Sequence, residues 1–583
     1  MNITETIVRL AAPYTAVAFD VFDTLIKRDV AKPTDLFLLA GSDFAKARVQ
    51  AEAEARAQKQ GEVTLAEIYG RPCLAGYDPA RECALELEAV TPNLPLLDAV
   101  RKLQAQGKRI YYISDMYLPP EQIAAMLARC GYDGLDGGFV SCSYGVQKRS
   151  GTLFRRFLRE TELKASQVLF VGDSWRADVV GAALAGIRAW HLPSHKAVSE
   201  FASADDFAGG AVSAFVQNRV GQRPYDGEVL GFSVLGPLLV AFCRWLHERR
   251  VQYGHGKLYF LARDMYLTRQ VYEILYPEEK TCYLQVSRRS LCPALLAEKE
   301  YPLLWAALPR QKLTGAQIAA YCGADCPDSF ARQSFDLKSE EMPAGLTELF
   351  AALCPPPTAE LVHAYLRQSG LEKGDLLVDV GSGGTTQILL EALCKIQLHG
   401  LQLSGDERLR KRLSDDRAEV FLSLAPEAAK LYWAGQPMLE RLISQDIGAA
   451  KGYAAGINRI IVCREEQKPE PVLADIQRGA LAFAKAWQMS VLAPVVLEPA
   501  LSIAPFLYLL AKPSKTQTRL LGDLTVEDGG VCPLAKPQPL AMYLLHPAQM
   551  KRDLAESRWK IGFLRRLLPG ALPYDRLYLA MKK

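Results

Sequence analysis

The 583-residue chain lacks a strong excess of either charge, with 69 Lys and Arg against 65 Asp and Glu, a net of +4 and a pI near 8.3. That balance requires no polyanionic partner, and no basic stretch interleaved with aromatics reads as a nucleic-acid module, so none is expected. Metal-spaced cysteines are also missing. The thirteen cysteines are scattered, and the closest pair, Cys322-Gly-Ala-Asp-Cys326, has no second pair to complete a zinc site. Reduced thiols and a cytoplasmic location are expected. Residues 1–10 are polar and amphipathic and do not read as a secretory signal. No segment reads as a membrane span; the best, 491–511, is interrupted by Pro494, Glu498, Pro499 and Pro505.

What is present is a series of apolar runs that each stop on a reactive side chain. Tyr14-Thr-Ala-Val-Ala-Phe-Asp-Val-Phe-Asp-Thr-Leu25 reads as a buried strand with Asp20 at its carboxyl edge, where open α/β sheets bind ligands. Arg109-Ile-Tyr-Tyr-Ile-Ser114 is a second such strand, ending on a hydroxyl that suits an anionic oxygen. Lys148 precedes an amphipathic segment and offers a compact cation. Gln167-Val-Leu-Phe-Val-Gly-Asp173-Ser-Trp-Arg-Ala-Asp178 is a strand, a glycine turn and two acids; with Asp20 they suit a hard divalent cation such as Mg²⁺.

In this order Asp20, Ser114, Lys148 and the Gly-Asp-x-x-x-x-Asp stretch resemble the four motifs of the haloacid-dehalogenase-like (HAD) superfamily, over roughly residues 10–200. The resemblance implies that Asp20 attacks phosphorus and forms an aspartyl-phosphate. It implies Mg²⁺ held by Asp20, the Phe22 carbonyl and Asp173 with Asp178 in support, and phosphoryl oxygens taken by Ser114 and Lys148. The Phe-Asp-Val-Phe-Asp-Thr-Leu-Ile form, with Ile113-Ser-Asp-Met-Tyr-Leu118, is similar to large bacterial HAD proteins found with glycosyltransferases. That implies a phosphorylated sugar or glycan intermediate of surface-polysaccharide synthesis as substrate, and glycosyltransferase partners.

The chain departs from the family at position 22. HAD phosphatases carry a second Asp two residues after the nucleophile, as general acid and base; here it is Phe22, and Asp23 is one step further on, toward the opposite face if the segment is extended. Asp23 is the candidate replacement if a local bulge turns it inward. Two alternatives stand beside the phosphohydrolase: a HAD-shaped scaffold or binding protein of glycan assembly, and a dehalogenase, against which the kept acids at 173 and 178 speak.

The expected fold is α/β: a Rossmann-like HAD domain over 1–200 with an α-helical cap at about 29–95, a linker at 201–226, a second Rossmann-like α/β domain at 227–460 and a helical C-terminal region at 461–583. Helices are expected at 44–60 and 79–90 in the cap and at 230–247 beyond the linker. Thr24, Arg28 and Ser174 are candidate substrate contacts beside the first site, with Lys27 next to Arg28 as a further cation. In the second half, Arg263 and Asp264 end an apolar strand and are followed by Met265-Tyr-Leu, an echo of Met116-Tyr-Leu. Ser287 and Arg288 end another strand, and Asp379-Val-Gly381-Ser-Gly383-Gly384-Thr385 reads either as an anion-binding turn or as a tight packing turn. The tail 551–583 mixes Lys and Arg with Trp559, Phe563, Leu564 and Leu567; it is read as a docked helix or as a peripheral contact with the inner face of the cytoplasmic membrane.

Overall fold

The structure is a computed structural model that describes residues 3–59, 61–192, 206–339, 341–527, 531–568 and positions 574, 576 and 578. The chain divides into two compact units, residues 1–223 with 487–496, and 224–486 with 497–583.

The first unit is built on a parallel sheet. Its strands are β1 (Ala16–Phe19), β4 (Arg109–Ser114), β5 (Gly137–Val140), β6 (Val168–Gly172) and β7 (Arg188–His191), in the order β5-β4-β1-β6-β7. Both faces of β1 are buried, Val17 and Phe19 packing into one apolar cluster and Ala16 and Ala18 into the other. This is why β1 reads as a continuous apolar run. The strand order reverses between β1 and β6, so a crevice opens where the carboxyl ends of those two strands diverge.

Between β1 and β4 the chain leaves through β2 (Ile26–Arg28) and returns through β3 (Val90–Pro92), which pair antiparallel. The insertion on this stem is helical, including Ser42–Gln58, Leu65–Tyr69 and Pro79–Glu88. Its centre is a buried fork, Arg48 donating from Nε and Nη2 to Glu82 at 2.6 and 2.9 Å, which satisfies a guanidinium that burial would otherwise destabilise. Residues 193–205, which include the start of the expected linker, lie outside the described residues. Over its described part the linker is largely helix, Phe207–Val220, capped by the Asp206 carboxylate accepting the Gly209 amide.

The second unit holds another five-stranded parallel sheet, β8 (Leu258–Leu261), β9 (Thr281–Leu284), β12 (Leu376–Asp379), β13 (His399–Gln402) and β14 (Ala418–Val420), in the order β14-β13-β12-β8-β9. Helices and a short hairpin, β10 (Lys312–Thr314) with β11 (Ser334–Asp336), fill the long crossover from β9 to β12. A second hairpin, β15 (Ala450–Gly456) with β16 (Arg459–Arg464), precedes the C-terminal helices, and β17 (Thr525–Glu527) pairs with β18 (Val531–Pro533) among them.

One correction concerns membrane spans. Gly227–Gln252 forms a 26-residue helical run with an 18-residue window of mean hydropathy 1.8, long and apolar enough to cross a membrane, but 89% of that window is buried inside the protein. Its glycines explain the burial: a Cβ on Gly231 or Gly236 would collide with Ile476 O or Phe483, so the helix at 471–488 can lie close against it. In the tail, Trp559 is buried and donates to Leu510 O at 3.3 Å, and Phe563 is buried as well, so the helix Lys560–Leu567 docks its apolar face inward. Residues 569–573, 575, 577 and 579–583 of that tail are outside the described set.

Candidate active site

Asp20 leaves β1 at the crevice, its amide donating to Val171 O on β6 at 2.9 Å. The register aligns Phe19 with Tyr112 and Val171, so Ser114 and Asp173 emerge on either side of Asp20 at the same edge. Lys148 reaches in from the loop after β5, and its ammonium donates to Asp20 Oδ1 at 2.5 Å and to Asp178 Oδ1 at 2.6 Å. The Lys148 amide is held in turn by Asp115 Oδ1 at 2.9 Å, a contact that sequence reading did not assign. Asp178 Oδ2 accepts the Ser174 amide at 2.8 Å. His191 on β7 bonds the Asp173 carbonyl at 2.8 Å and fixes the turn.

Two glycines make this compactness possible. A Cβ on Gly172 would lie 2.4 Å from Asp178 Oδ2, and one on Gly181 would lie 2.3 Å from Lys148 O. The Gly-Asp-x-x-x-x-Asp spacing therefore has a steric reason: the second acid folds back over the glycine.

Asp20, Asp173 and Asp178 each offer a carboxylate oxygen, all within 4.8 Å of one another. Burial pushes the Asp20 carboxyl up to about 7 against the pull of the Lys148 ammonium, and the Asp178 and Asp173 charges add to the rise. Asp173 is raised as well, by burial and then by the charges of Asp23 and Asp178. Burial alone would lower Lys148, yet Asp20, Asp178 and Asp115 hold it above its usual value. Three crowded hard-oxygen donors with surplus negative charge fit a cation such as Mg²⁺.

After Asp20 the chain is not extended. The Ile26 amide closes back on Val21 O at 3.0 Å, Phe22 bridges to Ile26, and Asp23 has φ of 57°, a left-handed conformation that Asp tolerates better than most residues. The opposite-face placement held only for an extended segment, and this segment turns instead. Asp23 lines the same cleft as Asp173 and acts on its titration.

Three of the expected contacts are otherwise engaged. Thr24 is fully buried, its hydroxyl directed at Asp173 Oδ1 at 3.5 Å, so it orients an acid rather than meeting substrate. Arg28 forks onto Glu86 at 2.8 and 3.0 Å and stacks on the Phe22 ring at 3.9 Å, which removes it as an anion grip. Ser174 Oγ caps the following turn through the Ala177 amide. Ser114 is 1% exposed and its hydroxyl makes no hydrogen bond among the described residues, as a donor kept for a ligand would.

In the second unit the structure gathers some of the expected residues at the crevice between β8 and β12. Burial pushes Asp379 up to about 6, with the Asp264 charge in the same direction and the Val380 and Gly381 amides and Arg288 opposing. Glu440, on the helix Pro426–Ile443, joins this group and was not legible in the sequence; burial, Asp264 and Asp379 raise it well above the usual range. Asp264 accepts the Ser444 hydroxyl at 2.7 Å, and Arg263 donates to Gln467 Oε1 at 2.7 Å. The others are structural. Ser287 caps the helix Arg288–Ala297 and donates to Ala450 O, and the neighbouring Arg289 pairs with Glu465. Gly381 and Gly384 have φ of 81° and 66°, and a Cβ on either would strike Ser404 O or Leu413. The Arg412 guanidinium donates to Gly383 O and Thr385 Oγ1. That loop is a packed turn.

A family model described as haloacid dehalogenase-like hydrolase matches residues 14–186. No curated protein matches the chain. Among solved structures, a magnesium-bound HAD hydrolase of Bacillus subtilis is 22% identical, with a TM-score of 0.26 over 32% of this chain and 91% of its own. A HAD phosphatase of Thermococcus onnurineus is 15% identical, with a TM-score of 0.25 over 31% and 88%. L-2-haloacid dehalogenase of Xanthobacter autotrophicus is 18% identical, with a TM-score of 0.25 over 31% and 80%. The parallel sheet, the order of Asp20, Ser114, Lys148 and Asp173 around its edge, and the matching family model agree: residues 14–186 form a haloacid dehalogenase-like hydrolase domain.

Proposed function

We propose that the first unit is a Mg²⁺-dependent phosphohydrolase or phosphoryl-transfer enzyme that works through an aspartyl-phosphate on Asp20. The observation that supports this reading is the bridge of Lys148 across Asp20 and Asp178, with Asp173 close enough to share a cation. Asp20 attacks phosphorus in line, and the bond to the leaving oxygen breaks. Asp23 protonates that oxygen in place of the absent acid at Phe22. It then takes a proton from the water or acceptor hydroxyl that attacks the aspartyl-phosphate, which frees Asp20. Lys148 and Ser114 receive the phosphoryl oxygens as charge builds on them. Asp20, the Phe22 carbonyl and Asp173, with Asp178 in support, would hold Mg²⁺, which would supply positive charge against the crowded carboxylates and Lewis-acid polarisation of the phosphoryl group.

The substrate in this reading is a phosphorylated sugar or glycan intermediate of bacterial surface-polysaccharide synthesis, in the cytoplasm. The test is phosphate release from sugar phosphates and nucleotide sugars, with and without Mg²⁺, by the intact chain and by Asp20→Asn. Metal-dependent release lost in the variant is expected. No release from a folded protein that binds Mg²⁺ would overturn the reading.

A further inference from the structure

Beside Asp23 and Asp173 lies a cleft of about 380 Å³, within the range of roughly 300–1,000 Å³ typical of small-molecule sites. One wall is the stem strand β2 with Lys27. The other is the helix Phe207–Val220, beyond the hydrolase domain in sequence. That helix is fixed in place. Gly210 packs so close to Ala31 that a Cβ would lie 2.9 Å from the alanine methyl. Arg219 forks onto both oxygens of Asp29 at 2.8 Å, and Asn218 Nδ2 donates to Arg28 O at 2.9 Å. One helical turn apart, Ser213 and Gln217 then line the cleft, and neither side chain makes a hydrogen bond among the described residues.

Lys27 differs from its neighbour Arg28. Lys27 is partly buried and makes no hydrogen bond or salt bridge among the described residues, though the Asp23 charge acts on it. Burial disfavours the charged ammonium more than the nearby Asp23 charge favours it, and an anion from a ligand would offset that cost.

We propose that this cleft seats the leaving group of the substrate, and that it selects a hydroxyl-bearing group with a second negative charge, placed at Lys27, with hydroxyls at Ser213 and Gln217. The assignment of a leaving group rests on the hydrolase reading; the preference for a second anion is tested without turnover.

In the full chain carrying Asp20→Asn, with Mg²⁺, calorimetry would compare glucose 1-phosphate, glucose 1,6-bisphosphate and glucuronic acid 1-phosphate. At least one doubly anionic probe is expected to bind about tenfold tighter than glucose 1-phosphate, with Lys27→Met removing the gain and Lys27→Arg keeping most of it. Which probe gains tells a second phosphate from a carboxylate. Equal binding of all three probes, binding of none, or a gain that survives Lys27→Met would overturn the proposal. Phosphate release by the intact chain is read separately. A gain at Lys27 without any release would refute the hydrolase reading and leave the pocket standing.

Discussion

Replacing Lys148 by Met keeps most of the side chain's volume while deleting its charge, so it isolates what the ammonium does. In the native protein Lys148 is 3% exposed, and its ammonium holds Asp20 at 2.5 Å and Asp178 at 2.6 Å. Removing one partner of a buried ion pair leaves uncompensated charge and costs about 3–5 kcal/mol. At about 2–4 °C per kcal/mol for a domain of this size, the first unit should melt roughly 6–20 °C lower. The loss should depend on pH in a defined direction. Asp20 titrates near 7 when folded, above its ordinary 3.8, so between those values the folded form holds a proton that the unfolded chain has released. Stability therefore falls as pH rises through that window. Without the ammonium the Asp20 carboxyl rises further and the window extends upward. Thermal unfolding of Lys148→Met should show a smaller deficit at pH 5 than at pH 8, and saturating Mg²⁺ should restore much of the pH 8 loss without restoring turnover. An equal deficit at both pH values with no effect of Mg²⁺ would refute the electrostatic account and leave Lys148 as a packing stem.

Three further outcomes follow from the same geometry. Asp23→Asn should slow hydrolysis of a sugar phosphate with an alkyl leaving oxygen by about a hundredfold to ten-thousandfold, and p-nitrophenyl phosphate much less; steady-state kinetics on both would show it, and equal slowing would exclude Asp23 as the acid. Gly172→Ala should push Asp178 off its contacts, cost about 1–3 kcal/mol of stability and weaken Mg²⁺ binding, read by thermal melts and calorimetry. Asp29→Ala should break the fork with Arg219 and lower the first unit's stability by about 1.5–3 kcal/mol, while pulling the helix Phe207–Val220 from the cleft; melts and the affinity of a doubly anionic sugar phosphate would report both effects.

The apolar strands ending on Asp20, Ser114 and Asp173 were legible because a strand buried on both faces leaves a continuous apolar run, and its end is marked by the first polar residue. Of the two glycines of the first site, Gly172 was legible for the same local reason, whereas Gly181 was not. Gly172 must be glycine wherever an acid folds back over it, and the spacing to Asp178 carries that requirement in one stretch of chain. The helix 227–252 was legible as an apolar helix near its true place, but its length was underestimated because the polar residues toward its end broke the apolar run.

What the sequence by itself determined was the order of the reactive groups along the sheet, the helical insertion between β1 and β4, and the acids that crowd one crevice. Only the tertiary structure decided which charges were free. Arg28 and Lys27 are adjacent in sequence, yet Glu86, 58 residues away from Arg28, neutralises that guanidinium while Lys27 is left facing the cleft. Asp23 reaches the site through a left-handed turn that an extended reading cannot foresee, and Glu440 joins Asp379 across a fold connection that no local pattern encodes. Sequence spacing fixes what neighbours along the chain can do, whereas ion pairing and burial depend on residues brought close from far away, so the free or spent state of a charge is a property of the folded molecule.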